Sequence, residues 1–285
     1  MTKSTPQIPA PPMPASSWIQ YAHAFQGLFL RDLHVLRREL LPFMIRIAMN
    51  PLLFLFVFTY VMPHISPGGA LNPTAAMAGP GFATVLLPGL MAVAIMFSGI
   101  AAVALPLSQE FGITREIDDR VMCPLPVSAV AIEKICFSAL QSIVAAAIVF
   151  PLAYYVPTSH VLVHVNSWPF LIAVIVLASL TAGALGLTIG TTVKPQQIGL
   201  IFGVVVMPIT FLGCVYYPWA QLTHLKWLQV MVLLNPIVYM SEGLRAALTP
   251  VLPHMNQAAI LIMLTAFLAL LTRMGVRGFL RRVIG

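Results

Sequence analysis

Long apolar runs, each close to the length of a membrane-crossing helix, dominate the hydrophobic pattern of the chain. A helix needs about 20 mostly apolar residues to cross the hydrocarbon core, because each residue adds only ~1.5 Å of rise. The runs lack the alternation of apolar and polar positions that is typical of membrane β-barrel strands. We therefore predict an all-α protein with six membrane-spanning helices, at about 43–62, 82–107, 135–156, 168–193, 198–217 and 257–274.

An amphipathic helix is predicted just before the first span, at residues 18–41. Apolar residues recur there at helical spacing, and the basic residues lie largely off that stripe. The basic residues are Arg31, Arg37 and Arg38. This pattern is typical of a helix that lies on the membrane surface. A loose basic linker is the alternative interpretation.

Composition supports the membrane interpretation. Of 285 residues, 59% are hydrophobic and 8% are charged, whereas a soluble domain has roughly 25% charged residues. No polar stretch is long enough to form a soluble domain, so residues 18–285 are expected to form one membrane domain. Residues 1–17 are rich in proline and polar residues, have no apolar core of a secretory signal, and are interpreted as a disordered cytoplasmic tail.

The distribution of basic residues orients the predicted spans. Thirteen of the fifteen Lys and Arg residues fall in the termini, the loops 108–134 and 194–197, or the nearby ends of spans. Only Lys226 and Arg245 fall on the opposite side. Because basic residues accumulate on the cytoplasmic side of a membrane, both termini are predicted to be cytoplasmic.

The cytoplasmic loop at 109–134 concentrates charge of both signs. It holds five of the eight acidic residues of the chain, with two arginines between them. These charged residues are Glu110, Arg115, Glu116, Asp118, Asp119, Arg120 and Glu133. Prolines at 124 and 126 break any helix, and Ser128 is positioned to cap the next one. The loop suits docking to a soluble partner, although solvation of a long loop would also explain its charge.

The outer segment at 218–253 is too apolar for an ordinary loop, yet it is interrupted by Asn235-Pro236. We predict short helices that dip into the outer leaflet and return. A seventh span would place the carboxyl-terminal arginines outside, against the charge rule. Glu242 and Arg245 lie three positions apart, where an ion pair is expected on a helix.

Catalytic signatures are absent from the sequence. It has no phosphate-binding G-x-x-x-x-G-K-[ST] loop and no H-E-x-x-H or G-x-S-x-G pattern, so no catalytic residues are assigned. The cysteines have no metal-ligand spacing and the histidines are scattered, so no metal site is assigned. Spans two to six carry no ionisable residue at depth, which disfavours an ion-driven carrier. Energy for transport would have to come from another chain.

Glycines at close-packing spacing mark the fourth and fifth spans. Gly183, Gly186 and Gly190 lie in the fourth, and Gly199 and Gly203 in the fifth. Such faces allow two helix backbones to approach closely. Packing within one protomer is the favoured interpretation, and a dimer interface is the alternative.

Taken in order, three segments resemble the ABC-2 family of transporter permeases, the membrane subunits of one class of ATP-driven exporters. They are the interface helix, the loop from Glu110 through Cys-Pro-Leu-Pro-Val-Ser, and the outer segment from Leu234-Asn-Pro to Glu-Gly-Leu-Arg245. The family typically has an acidic-basic segment followed by proline in its first cytoplasmic loop. It also has Asn-Pro, an aromatic residue and a Glu-x-x-Arg-like helix before its last span.

The resemblance implies partners and roles. Two permeases would pair, a homodimer here, each docked to a separate ABC ATPase that binds ATP and Mg²⁺, so this chain would bind no cofactor itself. The coupling residues would be Glu110, Arg115, Glu116, Asp118, Asp119 and Arg120, with Arg37 and Arg38 as a second contact. The outer gate would comprise Asn235, Pro236, Tyr239, Glu242 and Arg245. Spans two and five would line the path, with Phe97, Phe202, Phe211 and Tyr216.

Substrate and location are expectations of the same kind. The lack of buried charge along the path favours export of a hydrophobic drug or a lipid-like molecule across a bacterial inner membrane, with membrane lipid as a partner and no nucleic acid. Export of polysaccharide or glycolipid is the alternative, and an ATPase-independent channel or membrane scaffold is the alternative from another class.

Overall fold

The computed structural model describes residues 18–61, 82–114, 125–156 and 163–284, and within these ranges the chain is helical and contains no β-strand. The main helices are α1 (Trp18–Arg38), α2 (Leu40–Leu55), α3 (Phe82–Gln109), α4 (Val127–Tyr155), α5 (Trp168–Thr192), α6 (Pro195–Phe211), α7 (Lys226–Met231), α8 (Pro236–Leu248) and α9 (Gln257–Ile284). Helical geometry continues past α2 to Val61 and past α3 to Thr114.

The first helix ends earlier than the sequence pattern predicts. It ends at Arg38, because the backbone of Glu39 leaves helical geometry (φ −105°, ψ 16°) before α2 begins. Leu28 and Leu36 are buried, while Arg37 and Arg38 are exposed. That α1 lies on a membrane surface stays a prediction.

The centre of the helix bundle is α3, which packs against α4, α5 and α8, while α9 packs along α5. Small residues make these contacts possible. A Cβ on Gly186 would lie 2.9 Å from the Cα of Ile100, and one on Gly190 would lie 3.2 Å from the Cα of Ala104. The glycines of α5 therefore pack within the protomer, as favoured from sequence. Gly199 and Gly203 do not, since no described neighbour lies within 4 Å of a Cβ built on either.

The helix after the charged loop begins before the predicted start of span three. It starts at Val127, with Pro126 in extended geometry at the N-cap and no side-chain capping bond. The prediction that Ser128 caps this helix is therefore wrong. The N-cap position is occupied by Pro126, whose ring fixes φ and whose ψ of 138° is extended, so Ser128 already lies inside the first turn. The early start places Glu133 and Lys134 inside α4.

The helix at the fifth predicted span is short and irregular. Its middle, Phe202–Val206, has π-helical geometry, and it ends at Phe211 instead of continuing to 217. Pro208 cannot donate to the preceding turn, which weakens regular α-helical bonding there. Beyond the end, Cys214 has φ 51°, in the left-handed region that rarely accommodates a side chain. The chain therefore turns back before residue 217.

Four of the helices in the described ranges are long and apolar enough to cross a membrane. They are Ala83–Gly112, Val127–Tyr155, Trp168–Thr192 and Gln257–Val283. The helices at the first and fifth predicted positions, Leu40–Leu55 and Pro195–Phe211, are shorter. The last helix runs beyond the predicted end at 274, to Ile284. The chain is thus an all-helical, multi-pass membrane protein, and the count of six spans stays a prediction.

Candidate functional site

The segment 218–253, which the sequence predicts to lie on the outer side, is organised around α8, a helix whose residues are all buried. Asn235 caps it, because its Oδ1 accepts a hydrogen bond from the backbone N–H of Ile237 at 3.2 Å. Pro236 takes the first helical position, where its missing N–H leaves nothing unsatisfied. The Nδ2 of Asn235 also donates to the carbonyl oxygen of Ile209 at 2.6 Å. The Asn235 side chain therefore caps the start of α8 and also bonds this helix to the end of α6.

Glu242 and Arg245 form an ion pair on α8, and both side chains are fully buried. The Glu242 carboxylate also accepts from the backbone N–H of Trp219 at 2.9 Å and of Met255 at 3.1 Å. Arg245 Nη2 donates to the carbonyl oxygen of Cys214 at 3.1 Å. Buried charges are tolerated when they are paired and hydrogen-bonded. Both carboxylate oxygens of Glu242 and both terminal nitrogens of Arg245 are hydrogen-bonded, while Arg245 Nε has no partner in the described residues, and the pair joins α8 to three separate backbone segments.

Two more side chains of α8 bond to segments that precede this helix in the chain. The hydroxyl of Tyr239 donates to the carbonyl oxygen of Leu233 at 3.0 Å, and Ser241 Oγ donates to that of Gly213 at 2.8 Å. The five predicted gate residues therefore lie together, at the start and along the length of one buried helix. Ser241 was missed, although a hydroxyl next to the predicted ion pair was a usable signal. The backbone groups that bond to the ion pair could not be predicted from the sequence, because every residue type carries such groups.

The four aromatic residues predicted along the path form two groups. Phe97 and Phe202 both line an apolar cavity of about 240 Å³ between α2, α3 and α6. Phe211 and Tyr216 lie with ring centroids 6.0 Å apart, and Tyr216 lies 5.5 Å from Phe54. A regular helix separates residues 202 and 211 by roughly 13 Å along its axis. The structure shows no single aromatic track through the four positions.

At the opposite end of the bundle, Glu110 and Lys134 form a second buried ion pair. The distance from Lys134 Nζ to Glu110 Oε1 is 2.8 Å, and the two side chains are 7% and 6% exposed. The pair connects the extension of α3, where the charged loop begins, to the first turns of α4. The predicted coupling residues Arg115, Glu116, Asp118, Asp119 and Arg120 lie outside the described residues.

Arg282, near the end of α9, is a residue that sequence reasoning missed. Its Nη2 donates to the carbonyl oxygen of Val193 at 2.7 Å, and its guanidinium lies 5.3 Å from the ring centroid of Phe111. Carbonyls at a helix end lack partners within the helix, so a cation satisfies them well. Arg282 thus links the end of α5 to the start of the charged loop. The four arginines near the carboxyl terminus look alike in sequence, so the contact made by Arg282 could not be predicted.

In the part of the chain that the structure describes, no three His, Cys, Asp or Glu side chains are grouped so as to hold a metal ion. Cys136 and Cys214 are free thiols there.

The family model of the ABC-2 type transporter matches residues 23–249. The match begins within α1 and ends just after α8, so it includes most of the first helix, the charged loop and the buried helix α8. The chain belongs to the ABC-2 type transporter family. The resemblance inferred from the sequence is therefore confirmed. Permeases of the ABC-2 family are generally non-enzymatic membrane subunits that work with an ABC ATPase. No curated protein matches the chain in sequence.

Proposed function

We propose that this ABC-2 permease, paired with a second copy, forms the path by which a hydrophobic or amphiphilic molecule is exported across a bacterial inner membrane. A separate ABC ATPase, which carries ATP and Mg²⁺, would drive the export. The observation that carries the proposal is the family match over residues 23–249, which includes most of the interface helix and the whole of the other two segments named from the sequence.

The character of the cavity between α2, α3 and α6 supports an apolar cargo. Phe97, Phe202 and Val93 line it, with Ser98 as its hydroxyl-bearing residue. A binding cavity with mostly apolar walls and few polar groups selects apolar or amphiphilic molecules, because it cannot replace the water lost from a strongly polar one. A polysaccharide chain would lose many hydrogen bonds to water on entering it.

The attachments of the charged loop suggest how an ATPase would move the helices. At the start of the loop, Glu110 is paired with Lys134 of α4, and Phe111 lies against Arg282 of α9. A force applied to the loop would therefore reach α3, α4 and α9 together. We expect nucleotide binding to close the ATPase dimer, draw the two loops together and move these helices as rigid bodies. The outer segment around α8 would limit backflow.

Reversal of charge in the loop tests the coupling. The variant would combine Arg115→Glu with Glu116→Arg, in the permease purified together with its ATPase from source cells and reconstituted in liposomes. We expect permease-dependent ATP hydrolysis to fall to the level of the ATPase alone, because the docking contact is electrostatic. The control is Lys226→Glu, which changes an exposed charge on the predicted outer side.

Normal coupling in the reversed variant, at unchanged membrane insertion, would refute the proposed role of the loop. Transport by the permease in the absence of any ATPase would instead favour the channel alternative and overturn the proposed function.

A further inference from the structure

Helix α9 lies at the edge of the bundle, with one face buried and the other exposed. Only 17% of its most apolar stretch is buried, compared with 72% for that of α3. Leu264 and Leu271 lie on the buried face, whereas Ile262 and Leu270 are 66% and 54% exposed. In a membrane protein, an apolar face that is exposed along a spanning helix suits contact with lipid chains.

Three arginines continue the exposed face of α9 beyond Leu270. Arg273, Arg277 and Arg281 follow one another at four-residue intervals, and all three are exposed. Residues four apart lie on the same side of a helix, one turn above the other, so these arginines form a stripe.

The charge of this arginine stripe is not offset by its neighbours. Residues 257–285 contain no aspartate or glutamate. Within the described ranges, the buried ion pairs involve other residues, and none of the three arginines has a side-chain hydrogen bond, an ion pair or a ring contact. The stripe is therefore a cationic surface that is open to an anionic ligand.

The position of the stripe along α9 indicates which ligand can reach it. The helix begins at Gln257, so Arg273 and Arg281 lie roughly 24 Å and roughly 36 Å along its axis. Since the hydrocarbon core is about 30 Å thick, a helix that enters the core near its first residues brings the stripe to the far boundary. Met274 is 51% exposed beside Arg273, and an apolar surface at this level favours lipid over a soluble acidic partner.

We propose that the arginine stripe binds the headgroups of anionic phospholipids, in the leaflet that the charge distribution predicts to be cytoplasmic. A guanidinium offers paired N–H donors that match the oxygens of a phosphate group. A zwitterionic headgroup carries the same phosphate, but its ammonium cancels the net charge, so the attraction favours an anionic headgroup.

The neighbouring Arg282 gives this binding a structural consequence. It donates to the carbonyl oxygen of Val193, at the end of α5, and lies against Phe111 at the start of the charged loop. The end of α9 is thus held to the bundle by Arg282 and to the leaflet by the stripe. The inference depends on neither the cargo nor the ATPase.

Photo-crosslinking of the purified full-length permease tests the stripe. The two probes are phosphatidylglycerol and phosphatidylcholine, each with a diazirine near the start of one acyl chain, in nanodiscs made of equal parts of the unlabelled lipids. Chymotrypsin releases the α9 peptides without depending on arginine. We expect phosphatidylglycerol to label these peptides about fivefold more than phosphatidylcholine, the factor that corresponds to the attraction of one basic side chain to an anionic leaflet.

The decisive variant combines Arg273→Gln, Arg277→Gln and Arg281→Gln, and its labelling ratio should fall close to one. Lysine at the same three positions should keep most of the preference, because the charge is retained. The matched control combines Lys194→Gln with Lys226→Gln, which removes two exposed cations away from α9 and should leave the ratio unchanged.

Salt dependence tests the wild-type protein directly, even if the glutamine variant fails to insert. Raising the salt from about 0.1 M to about 1 M shortens the screening length from about 10 Å to about 3 Å, so the ratio should approach one. Equal labelling by the two probes in the wild type at low salt would overturn the proposal. A preference that persists in the folded glutamine variant, or at high salt, would overturn it as well.

Discussion

At the residue scale, the two charged side chains of α8, Glu242 and Arg245, are both fully buried. Each charge has lost its water, and each is compensated by the other and by backbone groups from distant parts of the chain. Breaking a buried pair costs much more than replacing both partners, because one unpaired charge is left in an apolar surrounding.

We expect Glu242→Gln alone and Arg245→Met alone each to lower the free energy of unfolding by about 3–5 kcal/mol. In the double variant the free energy of unfolding should fall by less than the sum of the two single losses, since neither charge is then left buried without its partner. SDS titration of the purified protein in mixed micelles measures these changes. Lys226→Met, at an exposed cation, should lie close to wild type. Strictly additive losses would show that the two side chains do not act as a pair.

Spacing predicted this pair correctly, because residues three apart on a helix face each other. It did not predict complete burial or the contacts with Trp219, Met255 and Cys214. Those contacts use backbone groups, which every residue type carries. The capping prediction for Ser128 failed because the helix begins at Val127, with Pro126 at the N-cap, so Ser128 lies inside the first turn.

At the element scale, α9 is attached to α5 through small residues and one cation. A Cβ on Gly278 would lie 2.6 Å from Thr191 Oγ1, so the two helices are in close contact there. Arg282 then donates to the carbonyl oxygen of Val193, just past the end of α5. Its neighbour Arg281 is exposed.

The adjacent residues Arg281 and Arg282 allow a matched comparison of stability. Arg282→Gln should lower the free energy of unfolding by about 1.5–3 kcal/mol, the contribution of hydrogen bonds that involve a charged group. Arg281→Gln should stay within about 0.5 kcal/mol of wild type, as surface substitutions usually do. The same titration in mixed micelles measures both. Similar losses for the two variants would argue against a specific contact between Arg282 and the end of α5.

At the scale of the whole molecule, the asymmetry of basic residues predicts which loops face the cytoplasm. The charged loop and both termini should lie inside, and the segment around α7 should lie outside. Four described helices have the length and composition of spans, while α2 and α6 are shorter. Topology is therefore best tested at loops on either side of these two helices.

Cysteine labelling in intact cells tests the topology. In a Cys123→Ser background, Thr223→Cys should react with a membrane-impermeant maleimide, whereas Asp118→Cys should react only after the membrane is permeabilised. The background protein without either new cysteine shows any labelling of Cys136 and Cys214. Reaction of Asp118→Cys in intact cells would reverse the predicted orientation and remove the loop from the reach of a cytoplasmic ATPase.

The amino-acid sequence by itself determined the class of protein, the approximate position of its apolar helices and its family. A helix needs a minimum apolar length to cross the hydrocarbon core, and the length of an apolar run can be read directly from the sequence. The order of the interface helix, the charged loop and the Asn-Pro segment, which indicated the family, can also be read from the sequence. Tertiary structure decided where α6 ends, because the turn around Cys214 is fixed by hydrogen bonds from α8 that are distant in sequence.

Tertiary structure also decided which of many similar residues matter. The fold brought Glu110 and Lys134 together as a buried ion pair, and it placed Arg282, one of four carboxyl-terminal arginines, against the end of α5. It separated Phe97 and Phe202 from Phe211 and Tyr216. The burial of a side chain and its hydrogen-bond partners depend on which helices pack together, and the local sequence does not specify that packing.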